Sequence, residues 1–356
     1  MSVKMRVFAG KLSRKNESWT QAQDELQINQ TEFTPPEKLM GDQNTISPYH
    51  PLFDKGADIY PRNLWFMKIE KHDILGLSEA QPAVHSDEDI KAKTPWDKVR
   101  ISGPVERQFL FATALGDDLI PFGILHYKSI VLPVIVERGR LTMIEGPAKA
   151  QSLGYPALSN YLRQVEESWQ SLGKDKKLGL YQWLDFRRKL TRQNPTTGYK
   201  VIYTGSATYL TAAAIDMKAT FSVAIDGTPF QLSHFIAESK TYQFETQDRK
   251  EAMYLAAVLN STVVDDAIKP LQTRGLFGAR DIHKRPLTLP IPKFDETNST
   301  HQSLAELGDQ AHKRISINIG TLQEAGTIGR TRAAARKLLS NEIASINRQV
   351  SVLLKR

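Results

Sequence analysis

The stretch Thr241-Tyr-Gln-Phe-Glu-Thr-Gln-Asp-Arg-Lys-Glu-Ala-Met-Tyr-Leu-Ala-Ala-Val-Leu-Asn260 changes character partway along. Its first four residues read as a strand. From Asp248 it reads as a helix, with Tyr254, Leu255, Val258 and Leu259 as apolar positions. Asp248 and Glu251 stand near the helix start, where carboxylates suit the positive end of the dipole. Upstream, the runs at 199–203, 209–215, 220–225 and 234–237 are strand-like and are punctuated by Gly205, Gly227 and Pro229. Leu64-Trp-Phe-Met-Lys-Ile69 reads as another strand. Gln108-Phe-Leu-Phe-Ala112 and 130–136 read as buried strands or short helices, and 157–171 and 180–190 as helices, the second with Leu180, Trp183 and Leu184 on one face. Downstream, the glycine-rich loop Arg274-Gly-Leu-Phe-Gly-Ala-Arg280 leads to Leu289-Pro-Ile-Pro292, where prolines at alternate positions forbid a helix.

The expected fold class is α+β: a mixed α/β body with a strand-rich centre, then a helical C-terminal segment. The expected divisions are a loosely structured segment at 1–60, where Pro35-Pro36, Ser47-Pro48 and His50-Pro51 break the chain, and a mixed body at 61–245. A helix, the glycine-rich loop and the Pro-Ile-Pro segment occupy 246–298, and helices follow at 299–356. In that last segment Leu339, Ile343, Ile346, Val350 and Leu353 are spaced 4, 3, 4, 3, a short heptad seam. Such a seam fits a partner helix or the body of its own protein equally well.

Composition narrows the function classes. The 356 residues are 40% hydrophobic and 24% charged, ordinary for a globular chain. Lys and Arg number 47 against 39 Asp and Glu, and the net +8 favours polyanions. There is no cysteine, which removes disulfides, cysteine-type zinc sites and cysteine nucleophiles. The N-terminus carries no apolar run fit for a signal peptide, and 130–136, interrupted by Pro133, is far too short to span a bilayer. A cytoplasmic protein that does not meet a membrane is expected.

Motifs that would carry chemistry are missing. Methyl transfer to adenine N6 needs a glycine-rich approach to S-adenosylmethionine and an Asn/Asp/Ser-Pro-Pro-aromatic motif that holds the flipped base. The single Pro-Pro, Thr34-Pro35-Pro36-Glu37, has the wrong residue on both sides, and no Phe-x-Gly-x-Gly or Walker sequence occurs. No two of the eight histidines stand at i, i+4. Val134-Ile-Val-Glu137 with Arg138 and Arg140 faintly matches half of a nuclease signature but lacks its lysine. No catalytic, cofactor-binding or metal-binding residue is assigned.

Basic clusters say more. Lys174, Lys176, Lys177, Arg187, Arg188, Lys189, Arg192 and Lys200 crowd one stretch against Asp175 and Asp185, interleaved with Tyr181, Trp183, Phe186 and Tyr199. Cations neutralise phosphates, and Gln193 and Asn194 are the right types for base edges. A solvated amphipathic helix with its aromatics in the core explains the pattern as well. Arg330, Arg332, Arg336, Lys337, Arg348, Lys355 and Arg356 make the last helices basic, either along DNA or in solvent.

One series of segments is more specific. Glu251-Ala-Met-Tyr-Leu-Ala-Ala-Val-Leu-Asn-Ser261, Gly275-Leu-Phe-Gly-Ala-Arg-Asp-Ile-His283, Leu289-Pro-Ile-Pro-Lys-Phe-Asp295 and His301-Gln-Ser-Leu-Ala-Glu-Leu307 follow in order. Together they resemble the C-terminal specificity region of adenine-N6 DNA methyltransferases from restriction-modification and related phage-defence systems. Phe235-Ile-Ala, Thr241-Tyr-Gln-Phe-Glu245 and Phe53-Asp-Lys-Gly-Ala-Asp-Ile-Tyr-Pro-Arg62 fit the same pattern. The resemblance implies a target-recognition domain closing over double-stranded DNA opposite a catalytic domain.

That catalytic domain is absent from this sequence. The chain is therefore expected to be a specificity component, inactive alone, with S-adenosylmethionine bound on a separate methylase subunit or on a missing N-terminal catalytic domain. The residues expected at DNA are Arg62, Lys174, Lys176, Lys177, Arg187, Arg188, Lys189, Arg192, Gln193, Lys200, Arg274, Gly275, Phe277, Gly278, Arg280, His283 and Lys284. Arg62 fits a DNA contact or a buried ion-pair anchor. Phe277 fits a stacking wedge or a core plug. Two alternatives stand beside this reading: a DNA-modifying enzyme with unrecognised motifs, and a protein-interaction subunit acting through the C-terminal seam.

Overall fold

The computed structural model describes residues 46–71, 76–173, 177–275 and 278–354, and the strands β1 (Val3–Ala9) and β2 (Gln27–Phe33), which pair antiparallel. Lys174, Lys176 and Phe277, expected at DNA, lie outside the described residues, as do Lys355 and Arg356.

Strands follow in quick succession: β3 (Asp54–Lys55), β4 (Phe66–Glu70), β5 (Ala83–Ser86), β6 (Ser102–Pro104), β7 (Leu110–Thr113), β8 (Leu119–Ile120), β9 (Gly123–Ile124) and β10 (Lys128–Val131). The hairpin β11 (Val134–Glu137) and β12 (Arg140–Met143) completes this run. An antiparallel sheet in the order β6-β5-β4-β10-β7 carries the first core. Helix α1 (Pro147–Ser152) leads to α2 (Pro156–Leu172), which packs its Leu158, Tyr161, Leu162, Val165 and Trp169 stripe into that core. The carboxylate of Glu106 accepts the Ala157 and Leu158 N–H groups at 2.9 and 2.8 Å, capping α2 from outside the helix.

The next helix, α3 (Leu180–Leu184), is far shorter than the 180–190 expected. Asp185 stops it. Its carboxylate takes the N–H groups of Leu190 and Thr191, each at 3.0 Å, and the Thr191 hydroxyl at 2.6 Å. Arg187 and Arg188 then adopt φ of +57° each, which no helix contains.

The second sheet runs β14-β13-β17-β3, with β13 (Tyr199–Thr204) at its centre, β14 (Ala212–Asp216) beside it, and β17 (Thr241–Thr246) reached through the hairpin β15 (Ser222–Ile225) and β16 (Thr228–Gln231). This sheet is a partition. Along β13 and β14, Ile202, Ala213 and Ile215 face the first core, while Val201, Tyr203, Ala212 and Ala214 face a second one. A strand buried on both sides reads as a continuous apolar run, as these do.

Helix α4 (Arg249–Asn260) covers the second face. It is buried almost all round because α6 (Ser299–Ile317) lies across its back. Gly308 allows that approach: a Cβ there would sit 2.3 Å from the Met253 carbonyl oxygen. Asp248 caps α4 through the Lys250 N–H at 2.7 Å. Between these helices run α5 (Thr262–Ile268), the two-residue strands β18 (Arg274–Gly275) and β19 (Gly278–Ala279), and the extended segment that buries Leu287, Leu289 and Ile291. The chain closes with α7 (Ile319–Gln323), α8 (Ile328–Leu338) and α9 (Ser340–Leu353). The α+β expectation holds.

Three expectations need correction. The 1–60 segment is expected to be loose, yet at its described end Tyr49 and Phe53 are fully buried in the second core, Tyr49 edge-on and Phe53 stacked against Phe244, and Ala57 and Ile59 are buried in the first. The heptad seam is internal: Leu339, Ile343, Ile346 and Val350 are buried in the second core and Leu353 packs against it, with α9 lying on α6 and α5. It offers no face to a partner helix. The basic last helices are also partly structural. The Arg332 guanidinium donates to the carbonyl oxygens of Leu119 and Gly116 at 2.9 and 2.6 Å, and Arg336 to that of Leu210 at 3.1 Å. Among the described residues no helix is long and apolar enough to cross a membrane.

Candidate nucleic-acid interface

The turn that follows α3 stands at the β3 edge of the second sheet. There Arg187, Lys189 and Arg192 meet Lys55, Tyr242, Gln243 and Lys284 around an open cleft of about 390 Å³. Five cations line it against Asp54, with Asp58 close by: the Lys189 ammonium sits 2.5 Å from the Asp58 carboxylate, and Arg192 3.5 Å from that of Asp54. The Arg192–Asp54 pair, 64% and 48% exposed, contributes little and exchanges easily for a phosphate, whereas Lys189 and Asp58, each 22% exposed, are largely covered. Phe186 stays 38% exposed, with Arg187 and Lys189 over its ring at 5.2 and 5.6 Å.

Side chains on this face are held by the sheet behind it. The register pairs Tyr203 with Tyr242, and their rings stack 5.4 Å apart at 8°. The Tyr203 hydroxyl donates to the His283 carbonyl oxygen at 2.7 Å, and the Ile282 and His283 N–H groups both reach the Gly205 carbonyl oxygen. Lys284 donates to the His50 carbonyl oxygen at 2.9 Å. So the segment after β19 is fixed against β13, with His283 exposed at φ +45°. Of the six non-glycine described residues with positive φ, three lie here: Arg187, Arg188 and His283. Non-glycine residues in that region carry strain that the surroundings must offset.

A second cleft, of about 570 Å³, is mostly apolar. Both take a wall from the segment beginning at α3 and another from 240–243. Tyr60, Arg62, Lys91, Lys93, Thr94, Trp96, Trp183 and Lys240 line it. Trp96 and Trp183 flank Trp169, at 5.6 and 6.3 Å between ring centres.

The structure divides the expected DNA-facing residues. Arg187, Arg188 and Arg192 are exposed, Lys189 and Lys284 are half-buried beside them, and His283 joins them from a distant part of the chain. Lys177 and Arg280 are exposed elsewhere on the surface. Arg274, Gly275 and Gly278 lie on β18 and β19, with Gly275 opposite Gly278 and Arg274 opposite Ala279.

Three are corrected. Lys200 is 0% exposed: it faces Glu245 across the register at 3.2 Å and donates to the Gln193 side-chain oxygen at 2.9 Å. Burial pushes its ammonium below the usual lysine range, with Glu245 opposing. Gln193 is buried too, clamping the Ala237 backbone through both its N–H and C=O groups at 2.9 Å each. Neither can reach a base or a phosphate. Arg62 resolves as the ion-pair anchor: its side chain is 14% exposed and reaches the fully buried Glu238 carboxylate at 3.3 Å. Gly56 makes room for the Glu238 backbone, since a Cβ there would lie 2.4 Å from the Glu238 carbonyl oxygen.

Lys55, Lys240, Tyr242, Lys91 and Lys93 were missed. Lys55 and Tyr242 are brought to their cleft by strand pairing, and Lys91, Lys93 and Lys240 stand in loops between strands, so no local signal marks them. Among the described residues no group of three His, Asp or Glu side chains converges.

No family model matches the chain, and no curated protein sequence matches it. Among solved structures it is similar to the Type IIL restriction-modification enzyme MmeI, determined in complex with DNA, with a TM-score of 0.45 at 10% identity over 99% of this chain and 38% of that one. It is also similar to the type IIG restriction endonuclease BpuSI, with a TM-score of 0.32 at 13% identity over 82% of this chain and 32% of that one. The chain therefore spans less than two fifths of each.

Proposed function

We propose that this chain is the DNA-binding target-recognition component of an S-adenosylmethionine-dependent adenine-N6 methyltransferase or restriction-modification system, with the chemistry carried on another polypeptide or domain. The observation that supports it most is the cleft at the β3 edge. Arg187, Lys189, Arg192, Lys55 and Lys284 converge there from three separated stretches of chain, with exposed Phe186 and half-buried Tyr242 among them. Cations interleaved with aromatic rings on a rigid sheet edge suit a phosphate backbone with base edges beside it. Exposed arginines suit guanine O6 and N7 as well as phosphate.

The second reading, a protein-interaction subunit working through the C-terminal seam, loses its support because that seam is spent on the protein's own core. Two assays test the leading one. A mixed-sequence duplex at low salt should be retained by the isolated chain in a gel shift. The same chain given labelled S-adenosylmethionine should transfer no methyl group. Methylation of adenine by the chain alone would sink the division of labour, and absence of duplex binding would sink the recognition role.

A further inference from the structure

Among the residues that line the cleft at the β3 edge, Gln243 is the most deeply set, at 7% exposed. It stands on β17 in register with Ile202 of β13 on one side and Asp54 of β3 on the other. Its amide oxygen is buried and accepts no hydrogen bond. The neighbouring cations donate elsewhere: Lys189 to Asp58, Arg192 to Asp54, and Lys284 to the His50 carbonyl oxygen. Gln193, also buried, shows the contrast, since both ends of its amide are spent on the Ala237 backbone. A buried acceptor left unpaired costs more than a made hydrogen bond returns, and an apolar side chain of the same shape would avoid that cost. An orphaned polar group in the lining of a cleft is accounted for by a ligand that completes it.

We infer that Gln243 is a base-reading residue of this cleft, turning its amide outward to take the major-groove edge of an adenine in the bound duplex. The inference rests on the duplex-binding role proposed above. The five cations of the cleft suit phosphates or the two acceptors of guanine, and none of them can accept a hydrogen bond. The Gln243 oxygen needs a donor brought by the ligand. In the major groove adenine N6 and cytosine N4 supply one. The amide nitrogen beside that oxygen needs an acceptor, and adenine places N7 next to N6, whereas cytosine offers its donor alone. Thymine offers an acceptor and a methyl group. Adenine therefore presents the edge that uses both ends of the amide. Turning into the cleft also ends the burial of the unpaired oxygen, so relief of that cost adds to the new bonds.

The test selects duplexes from a randomised pool with the natural chain, sequences those retained, and repeats the selection with Gln243→Leu. The natural chain should enrich an A·T pair at one position. Gln243→Leu should lose the preference there while keeping the other positions and its affinity for mixed-sequence duplex. Because that substitution exchanges an orphaned polar group for an apolar one of similar size, the variant should unfold at the same temperature or a higher one. A second measurement needs no variant. The enriched duplex is made with 7-deazaadenine, which lacks N7, or with purine, which lacks the N6 amino group, at that position. Each should bind the natural chain about tenfold more weakly, the scale of one bidentate base contact, and should bind Gln243→Leu as tightly as the unaltered duplex does. Duplexes retained without sequence preference overturn the inference and leave duplex binding standing. So do analogues that bind the natural chain undiminished, an A·T preference that survives Gln243→Leu, or enrichment of cytosine at the position that depends on Gln243. Absence of any retained duplex at low salt overturns the recognition role itself, and the inference with it.

Discussion

The Lys200 ammonium donates to the Gln193 side-chain oxygen at 2.9 Å, wholly inside the protein. Through that bond the basic turn after α3 is tied to the centre of the second sheet, because Gln193 also grips the Ala237 backbone. The two residues thus support from behind the segment proposed to face DNA. Lys200→Ala should cost about 3 kcal/mol of stability, the usual result of removing one partner from a buried charge pair. Duplex affinity of the folded variant, measured well below its unfolding temperature, should stay within about twofold. A large loss of affinity with unchanged thermal unfolding would show instead that Lys200 meets DNA directly.

The strained turn offers a trade between stability and binding. Arg188 is exposed at φ +57°, a conformation glycine adopts without penalty. Arg188→Gly should leave the protein as stable as before or more stable by about 0.5–1 kcal/mol, while duplex affinity at low salt falls about threefold. Denaturant unfolding and binding titrations read the two halves separately. A destabilised variant would mean that the arginine side chain, rather than its function, holds the turn.

Acid should loosen the C-terminal half. The Asp295 N–H donates to His301 Nδ1 at 3.0 Å, which requires a neutral ring, and burial lowers the histidine's pKa from its ordinary value. Burial lowers His50 and His234 likewise, with Lys284 and Lys200 adding to the effect. A base whose folded-state pKa is lowered is protonated first in the unfolded chain. Stability is therefore full above the unfolded value near 6.5 and is lost as pH falls below it toward the folded values. Thermal unfolding should drop between about pH 7 and pH 5, and His301→Gln should shallow that drop. A profile identical in the variant would remove His301 from the explanation.

Helix α9 is predicted to be part of the fold rather than an arm. Ile346 is 1% exposed in the second core. Ile346→Asp should cost more than about 3 kcal/mol and yield aggregated protein, since it buries an unpaired charge. Soluble, normally folded Ile346→Asp protein would return the heptad seam to the role of a docking surface.

Local pattern made much of this legible. Helix α4 and strand β17 follow from residues that neighbour one another in sequence, and the prolines at 290 and 292 forced an extended path. The seam at 339–353 was visible but its partner was not, because spacing says nothing about what stands opposite. The basic run at 187–200 was visible as one cluster, yet the structure splits it. Arg187, Arg188 and Arg192 turn outward, whereas Lys200 turns inward because the β13–β17 register sets it against Glu245. That register is a long-range property. Lys55 and Tyr242 reach the same cleft by the same pairing and carry no signal of their own.

The central claim is that the cleft at the β3 edge holds duplex DNA through its cations. Its most direct test is the salt dependence of duplex affinity for the natural chain and for Arg187→Ala with Arg192→Ala. Each lost phosphate contact should lower the slope of log affinity against log salt by about 0.9, so the double variant should lose nearly two units of slope, with the same effect on any sequence. Unfolding curves of the two proteins should coincide. Equal slopes for natural and variant proteins, or no duplex binding by the natural chain at low salt, would contradict the account.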